Sequence, residues 1–202
     1  MADNRPGGAR SASPSHKAAD LRLLAMDVDG TLTDGRIYIG EHGEAMKAFC
    51  VRDGMGLTLL KEAGIVLAII TARRSEIVER RARELGIAEV FQGVHDKREA
   101  FEQLCARRAV ALAQAGFVGD DWPDLPAMDV AGFAATVADG AQAVRARADW
   151  ISSRRAGDGA IRELAEFILD SRGALDAALA RRLTGRGASD PGLPPSVTGG
   201  RP

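Results

Sequence analysis

The strongest constraint on this fold is an alternation between short apolar runs and longer amphipathic stretches. Five apolar runs are bounded by residues typical of turns and have the length of buried β-strands, at 21–28, 65–70, 89–92, 116–119 and 133–137. Between them, the stretch after Thr71 and the stretch 158–170 repeat apolar residues at helical spacing. Strands that alternate with helices are joined by right-handed crossovers into a parallel sheet. We therefore predict an α/β domain with a doubly wound parallel sheet.

One segment interrupts this alternation. Residues 36–50, RIYIGEHGEAMKAFC, contain two strand-like pieces on either side of the turn GEHG at 40–43, which is typical of a β-hairpin. The insertion is too short to form a cap domain. We expect the hairpin either to cover a site partly or to pair with another subunit.

Composition limits the class of protein. The chain has 202 residues, 46% of them hydrophobic, and a formal net charge of -1, which suits one soluble domain rather than a nucleic-acid or membrane surface. Residues 1–20 lack the apolar core of a signal peptide, so we expect a cytoplasmic protein. Turn-forming residues without a periodic apolar face predict flexible tails at 1–20 and 183–202, on either side of a folded domain at 21–182.

Polar residues follow the predicted strands at the points where the strands end. They carry carboxylate, hydroxyl and ammonium groups and are Asp27, Asp29, Thr71, Lys97, Asp120, Asp121 and Asp124. In an open parallel sheet, ligands bind beyond the carboxyl ends of the strands. The topology therefore predicts that four segments of the chain deliver these groups to one site.

The two aspartates at the end of the first strand have other interpretations. Like charges two residues apart oppose ionisation, so a pair such as Asp27 and Asp29 normally serves a cation or a reaction. A calcium-binding EF-hand loop is excluded because Arg36 would occupy its twelfth position, where a carboxylate is required. Taken singly, Thr71 would be a helix N-cap and Lys97 a solvated lysine. The ordered set favours catalysis.

The motifs resemble, in order, those of the haloacid dehalogenase superfamily. They are DVDGTLTD at 27–34, IITAR at 69–73, Lys97, and GDDWPDLPAM at 119–128. Finer patterns at 34–56, 91–97 and 157–163 are similar to the capless subfamily of 3-deoxy-D-manno-octulosonate 8-phosphate phosphatases. This resemblance implies a Rossmann-like fold with no large cap. It also implies hydrolysis of that sugar-acid phosphate to the free acid and phosphate, in lipopolysaccharide precursor synthesis.

The resemblance implies a role for each catalytic residue. Asp27 would attack phosphorus and form an aspartyl-phosphate, while Asp29 would protonate the departing sugar oxygen and then activate water. Thr71 would donate a hydrogen bond to a phosphoryl oxygen, and Lys97 would neutralise phosphate charge. Mg²⁺ would be held by Asp27, by the backbone carbonyl of Asp29 and by Asp120.

Further residues are expected around this set. Asp121 and Asp124 would support metal-bound waters or the Lys97 ammonium. The residues implied to bind substrate are Asp29, Cys50, Val51, Arg52, Asp53, Gly54, Thr58, Arg73, Arg81 and Lys97. The arginines among them suit the carboxylate of a sugar acid, because guanidinium binds carboxylate in a bidentate manner. A homotetramer is also implied, with the hairpins forming a central barrel and closing neighbouring sites.

The sequence leaves the substrate partly open. Ala72 stands where relatives commonly have glycine, and Thr58 stands where some have a basic residue, so the alternatives are a nine-carbon ulosonate 9-phosphate and a broad range of small phosphates. A non-catalytic binding module is disfavoured because Asp27 and Asp29 are both present. A phosphomutase is disfavoured because the chain encodes no large cap to exclude water.

Overall fold

The strands of the computed structural model, which describes residues 13–184, form the predicted parallel sheet. In chain order the strands are β1 (Leu23–Met26), β2 (Tyr38–Gly40), β3 (Gly43–Met46), β4 (Val66–Thr71), β5 (Glu89–Gln92), β6 (Ala115–Val118), β7 (Phe133–Thr136) and β8 (Trp150–Ile151). Six of them lie in one parallel sheet in the order β5-β4-β1-β6-β7-β8. The predicted α/β fold is confirmed.

The position of β1 decides where the site forms. Met26, the last residue of β1, pairs with Ile69 on β4 and with Val118 on β6. The chain leaves β1 toward β4 on one side and reaches β6 on the other, so the strand order reverses beside β1. Ligands of doubly wound sheets bind at such a switch point, beyond the carboxyl ends of the strands.

Helices cover the sheet on both faces. They are α1 (Pro14–Ala19), α2 (Val51–Glu62), α3 (Glu76–Leu85), α4 (Lys97–Arg107), α5 (Leu125–Met128), α6 (Gln142–Arg145), α7 (Ala160–Ser171) and α8 (Leu175–Leu183). Alternate residues of β1 enter two cores, since Leu24 and Met26 belong to one and Leu23 and Ala25 to the other. This alternation is the expected consequence of the two-residue period of a strand buried on both faces.

Local capping fixes the helices that follow β4 and β5. Ser75 is the N-cap of α3, and its side chain accepts a hydrogen bond from the backbone N–H of Val78. Asp96 caps α4 in the same way, accepting from the N–H of Glu99 at 2.9 Å. The N-cap is therefore Ser75 and not Thr71, which ends β4. Lys97 opens α4 as the sequence predicted.

The predicted hairpin is confirmed, because β2 and β3 pair in antiparallel fashion with Gly40 opposite Gly43. Helix α2 was not recognised in the sequence because it contains Gly54 and Gly56, which lower helix propensity. Tertiary packing explains Gly56, since a Cβ atom there would lie 3.0 Å from the Cα atom of Arg162 on α7. Close packing of α2 against α7 therefore favours glycine at position 56.

The ends of the domain differ from the prediction where they are described. Ser13 caps α1, and Ala18 is buried in the core, so residues 13–20 belong to the folded domain and not to a tail. This helix was missed because six residues carry too little periodic signal. Helix α8 continues to Leu183, and the predicted tail segments 1–12 and 185–202 lie outside the described residues. Within 13–184, no helix has the length and apolar character needed to cross a membrane.

Candidate active site

Four chain segments meet in a cavity of about 310 Å³ at the carboxyl edge of β1, β4 and β6. The structure brings together all seven polar residues that the topology predicted there. The cavity is lined by Asp27, Asp29, Gly30, Gly35, Thr71, Ala72, Arg73, Lys97, Asp120, Asp121, Pro123 and Asp124. Gly30 has a φ of +93°, and a Cβ atom at this position would overlap the Asp120 carboxylate. The loop after β1 can therefore approach Asp120 only with glycine at this position.

Lys97 lies buried between two carboxylates. Its Nζ atom is 2.8 Å from Oδ1 of Asp27 and 2.6 Å from Oδ1 of Asp124. The other oxygen of Asp124 accepts hydrogen bonds from the backbone N–H groups of Asp120, at 2.9 Å, and Asp121, at 3.1 Å. Both oxygens of Asp124 are thus engaged by the protein, and the residue orients Lys97 and the loop after β6.

Burial disfavours the ionised form of two carboxylates in the cavity, Asp27 and Asp120. Burial raises the pKa of Asp27 to about 6, and the charge of Asp124 adds to the rise, while Lys97 opposes it. Burial likewise raises the pKa of Asp120 to about 7, with a smaller contribution from the neighbouring carboxylates. A hydrogen bond of 2.8 Å from the Thr31 hydroxyl to Oδ1 of Asp120 opposes that rise. Full ionisation of Asp27, Asp120 and Asp124 would leave more negative charge than Lys97 alone offsets.

These carboxylates fit a divalent cation. One oxygen from each of Asp27, Asp120 and Asp124 lies within 4.8 Å of the others. Because Asp124 already accepts from Lys97 and two amides, Asp27 and Asp120 are the side chains available to a cation. Buried oxygen donors that are short of positive charge suit a hard ion such as Mg²⁺.

Asp29 faces the hairpin as well as the cavity. The Nζ atom of Lys47, on the segment after β3, forms an ion pair with Oδ1 of Asp29. Arg73 approaches the other oxygen, with Nε at 3.7 Å from Oδ2. Lys47 also contacts Oε1 of Glu44 at 2.9 Å, and Glu44 accepts a hydrogen bond from the hydroxyl of Ser75. The hairpin therefore covers one side of the site within a single chain.

Sequence reasoning missed Lys47 and Glu44 as members of this site. Both residues belong to the pattern GEAMKAF at 43–49, which carried part of the family resemblance. That motif could have singled out Glu44 and Lys47 as an acid and a base at fixed spacing, but nothing local indicated a contact with Asp29. Only the packing of the hairpin against the loop after β1 reveals the contact.

Most of the residues expected to bind the sugar lie elsewhere in this chain. Arg73 lines the catalytic cavity, whereas Cys50, Asp53, Gly54 and Arg81 line a second cavity beside α2 and α3. Arg52 lies at a third cavity and pairs with Asp158, while Val51 is exposed. The hydroxyl of Thr58 donates to the carbonyl of Gly54 at 3.0 Å. One chain therefore does not bring these residues to the catalytic carboxylates.

Asp53 is buried and its carboxylate is bound to the start of α7. Its side chain is 2% exposed, and its carboxylate accepts from the backbone N–H groups of Gly159, at 3.3 Å, and Arg162, at 2.8 Å. These groups belong to the first turn of α7 and the residue before it. Burial raises the pKa of Asp53. In this chain the Asp53 carboxylate caps the start of α7, and its role in substrate binding stays a prediction.

Comparisons with known proteins find a matching family model and relatives of similar sequence. The model of the haloacid dehalogenase-like hydrolase family matches residues 52–132. The chain is 42% identical over 171 residues to the 3-deoxy-D-manno-octulosonate 8-phosphate phosphatase KdsC of Escherichia coli (strain K12), covering 85% of this chain and 91% of the relative. It is 43% identical over 162 residues to KdsC of Salmonella typhimurium, covering 80% of this chain and 86% of the relative.

Solved structures of similar proteins have the same fold. The phosphatase of Moraxella catarrhalis, determined in complex with a magnesium ion, a phosphate ion and a KDO molecule, superposes with a TM-score of 0.82 at 44% identity. That match covers 84% of this chain and 97% of the Moraxella chain. The cobalt-bound phosphatase of Haemophilus influenzae gives a TM-score of 0.78 at 37% identity, covering 80% of this chain and 94% of that one.

Proposed function

Because the chain belongs to the family of 3-deoxy-D-manno-octulosonate 8-phosphate phosphatases, within the haloacid dehalogenase-like hydrolases, we propose that it hydrolyses this sugar-acid phosphate to the free acid and phosphate. The observation that carries the proposal is the buried Asp27, held 2.8 Å from Lys97 in one cavity with Asp29 and Asp120. This arrangement supplies a nucleophile, a cation and a second carboxyl group to one phosphate.

Asp27 is the proposed nucleophile. Its carboxylate oxygen forms a bond to phosphorus as the bond from phosphorus to the sugar oxygen breaks, which yields an aspartyl-phosphate and the free sugar acid. Lys97 provides a fixed positive charge beside the attacking group, so charge on the equatorial phosphoryl oxygens is offset without reorganisation of water. Thr71, which is buried at the end of β4 and lines the same cavity, would donate a hydrogen bond to the same phosphoryl group.

Asp29 is the proposed acid and base. Its proton passes to the departing sugar oxygen, which would otherwise leave as a strongly basic alkoxide. The resulting carboxylate then removes a proton from the water that attacks phosphorus and releases Asp27. Asp29 lies two residues after Asp27 on the same loop and lines the same cavity, so one group can serve both half-reactions.

We propose that Mg²⁺ is held by Asp27, the backbone carbonyl of Asp29 and Asp120. When bound, the ion supplies positive charge that neutralises the carboxylates and polarises a phosphoryl oxygen. The burial of Asp27 and Asp120 beside one cavity, which raises the pKa of each, supports this proposal, because a bound cation would offset the cost of holding both carboxylates ionised there. The Moraxella relative was solved with magnesium.

We further propose a cytoplasmic homotetramer that works in lipopolysaccharide precursor synthesis. The hairpin exposes Ile37, Ile39 and Met46, and Ile39 is 79% exposed. An exposed apolar patch of this kind is typical of a protein interface. Assembly through the hairpins would bring residues such as Arg52 and Arg81 from a neighbouring copy toward the cavity, where arginine suits a sugar carboxylate.

The test is phosphate release with Mg²⁺ across a panel of substrates, compared by kcat/KM. The panel contains 3-deoxy-D-manno-octulosonate 8-phosphate, a nine-carbon ulosonate 9-phosphate, a simple sugar phosphate and 4-nitrophenyl phosphate. We expect a preference for the eight-carbon acid of at least about 10²-fold, since specific polar contacts discriminate strongly between substrates. Similar values for all four would indicate a broad phosphatase, and no release from any would contradict the proposal.

A further inference from the structure

We infer that Lys47 of the hairpin is a positioning residue, which holds the carboxyl group of Asp29 in the orientation needed for proton donation to the leaving group. The inference rests on the proposed function, in which Asp29 is the acid. It adds the hairpin to the catalytic machinery of its own chain, in addition to any contact that the hairpin makes with another copy.

The two oxygens of Asp29 have different surroundings. Oδ1 is paired with Nζ of Lys47, whereas Nε of Arg73 lies 3.7 Å from Oδ2, beyond hydrogen-bond distance. The Asp29 side chain remains 17% exposed, and it lines the catalytic cavity. Lys47 therefore fixes one oxygen and leaves the other available to a substrate oxygen in the cavity.

Burial of Lys47 indicates that its position is strongly constrained. The side chain is only 1% exposed, although the long, flexible side chain of a lysine can usually extend its ammonium group into water. Removing an ammonium from water is costly unless its hydrogen bonds are replaced. Here Asp29 and Glu44 replace the hydrogen bonds to water, and these contacts hold the Lys47 ammonium beside Asp29 despite the cost of desolvation.

The rest of the network anchors Lys47 to the phosphate-binding side of the site. Glu44 of β3 pairs with Lys47 and accepts a hydrogen bond from Ser75, the N-cap of α3. Ser75 is itself held in place, because its backbone N–H donates a hydrogen bond to Oε1 of Gln92 at 2.6 Å. The hairpin is thus linked to the start of α3 and, through Gln92, to the end of β5, and Lys47 transmits that anchored position to Asp29.

The experiment uses the dependence on leaving group. Lys47→Met keeps an unbranched side chain only one atom shorter and removes the charge, and the control Lys61→Met removes an exposed lysine at the end of α2. Each full-length variant is assayed with Mg²⁺ on 3-deoxy-D-manno-octulosonate 8-phosphate, phenyl phosphate and 4-nitrophenyl phosphate. The ratio kcat/KM reports the steps up to the departure of the leaving group, and 4-nitrophenolate leaves with the least need for a proton.

A positioning role predicts a selective loss. Lys47→Met should lower kcat/KM by about 10- to 100-fold for the sugar phosphate and for phenyl phosphate, and by less than about 3-fold for 4-nitrophenyl phosphate. Phenyl phosphate contains no sugar, so its loss distinguishes positioning of the acid from a lost sugar contact. Asp29→Asn combined with Lys47→Met should be no slower on the sugar phosphate than Asp29→Asn alone.

Three results would overturn the inference. An equal loss on both aryl phosphates would assign Lys47 to folding or phosphate binding, and a melting temperature for each variant separates these two. No loss on any substrate would remove Lys47 from the mechanism. A wild-type enzyme that releases no phosphate from any substrate would overturn the proposed function as well, whereas the first two results leave that function intact.

Discussion

The ammonium of Lys97 lies 2.8 Å from Oδ1 of Asp27, and the two side chains are only 3% and 10% exposed. A second carboxylate, that of Asp124, contacts the same ammonium at 2.6 Å. One buried cation is therefore shared between two buried carboxylates. This relationship fixes the orientation of Asp27, the proposed nucleophile, and two carboxylates beside one ammonium leave a negative charge that suits a bound cation.

Replacing Asp27 by asparagine should abolish turnover and preserve the fold. The change removes the nucleophilic oxygen but almost no volume, so we expect kcat to fall by on the order of 10⁴-fold or more. The melting temperature should stay within a few degrees of wild type, since burial already disfavours the charged form of this side chain. Asp170→Asn, on the exposed end of α7, is the matched control. Retained turnover in Asp27→Asn would defeat the covalent mechanism.

Replacing Lys97 by methionine should harm both stability and activity. Asp27 and Asp124 would be left buried without their shared cation, which costs about 3–5 kcal/mol of unfolding free energy. Urea denaturation at neutral pH measures this loss, and acidification should reduce it because burial raises the pKa of Asp27 to about 6, so that this carboxylate can then be protonated. We also expect kcat/KM to fall by about 10²- to 10³-fold. An unchanged denaturation midpoint would mean that Lys97 does not offset the buried charges.

Stabilisation by Mg²⁺ should be strong at mildly alkaline pH and weak in acid. The native pKa values of Asp27, about 6, and Asp120, about 7, exceed the ordinary value of 3.8. At pH values between the ordinary pKa and the raised native pKa, the metal-free native state binds more protons than the unfolded chain. The contribution of these two groups to the free energy of unfolding therefore falls as the pH rises. A cation relieves that destabilisation, whereas protons compete with it.

Thermal unfolding with and without Mg²⁺ measures this effect. The increase in melting temperature should be clearly larger at about pH 8 than at about pH 5.5, because the carboxylates must be ionised to bind metal. Asp120→Asn should lose most of the increase at either pH. Equal increases at both values, or an undiminished increase in Asp120→Asn, would contradict the assignment of the site.

Removing the Thr31 hydroxyl should weaken metal binding. Its hydrogen bond of 2.8 Å to Oδ1 of Asp120 orients the carboxylate, and loss of such a partner typically costs 10- to 100-fold in metal affinity, by order of magnitude. We therefore expect Thr31→Val to raise the Mg²⁺ concentration for half-maximal activity by about 10-fold or more. Saturating Mg²⁺ should restore much of kcat, since no catalytic group is removed.

Thr136→Val is the control for that substitution. Thr136 is also buried, and within residues 13–184 its hydroxyl makes no hydrogen bond. The same change of a hydroxyl for a methyl group should leave the Mg²⁺ dependence unaltered there. If both valine variants shift the Mg²⁺ requirement equally, the effect comes from general loosening of the domain and not from Asp120.

The sequence by itself determined the architecture and the composition of the catalytic set. Strand and helix periodicity are local properties, and the handedness of parallel crossovers then fixes which ends of the strands meet. For that reason Asp27, Thr71, Lys97 and Asp120 could be assigned to one edge before any coordinates. The hairpin was also foreseeable, because its turn residues GEHG at 40–43 carry a local signal.

Only the tertiary structure decided how the remaining polar groups are paired. The contact of Lys47 with Asp29 joins residues 18 positions apart, that of Lys97 with Asp124 joins residues 27 apart, and the capping of α7 by Asp53 joins residues at least 106 apart. Such distant partners leave no periodic trace, because each pairing depends on how rigid elements pack and on where water is excluded. The sequence supplied the charged groups, but burial and packing determined which of them orient one another.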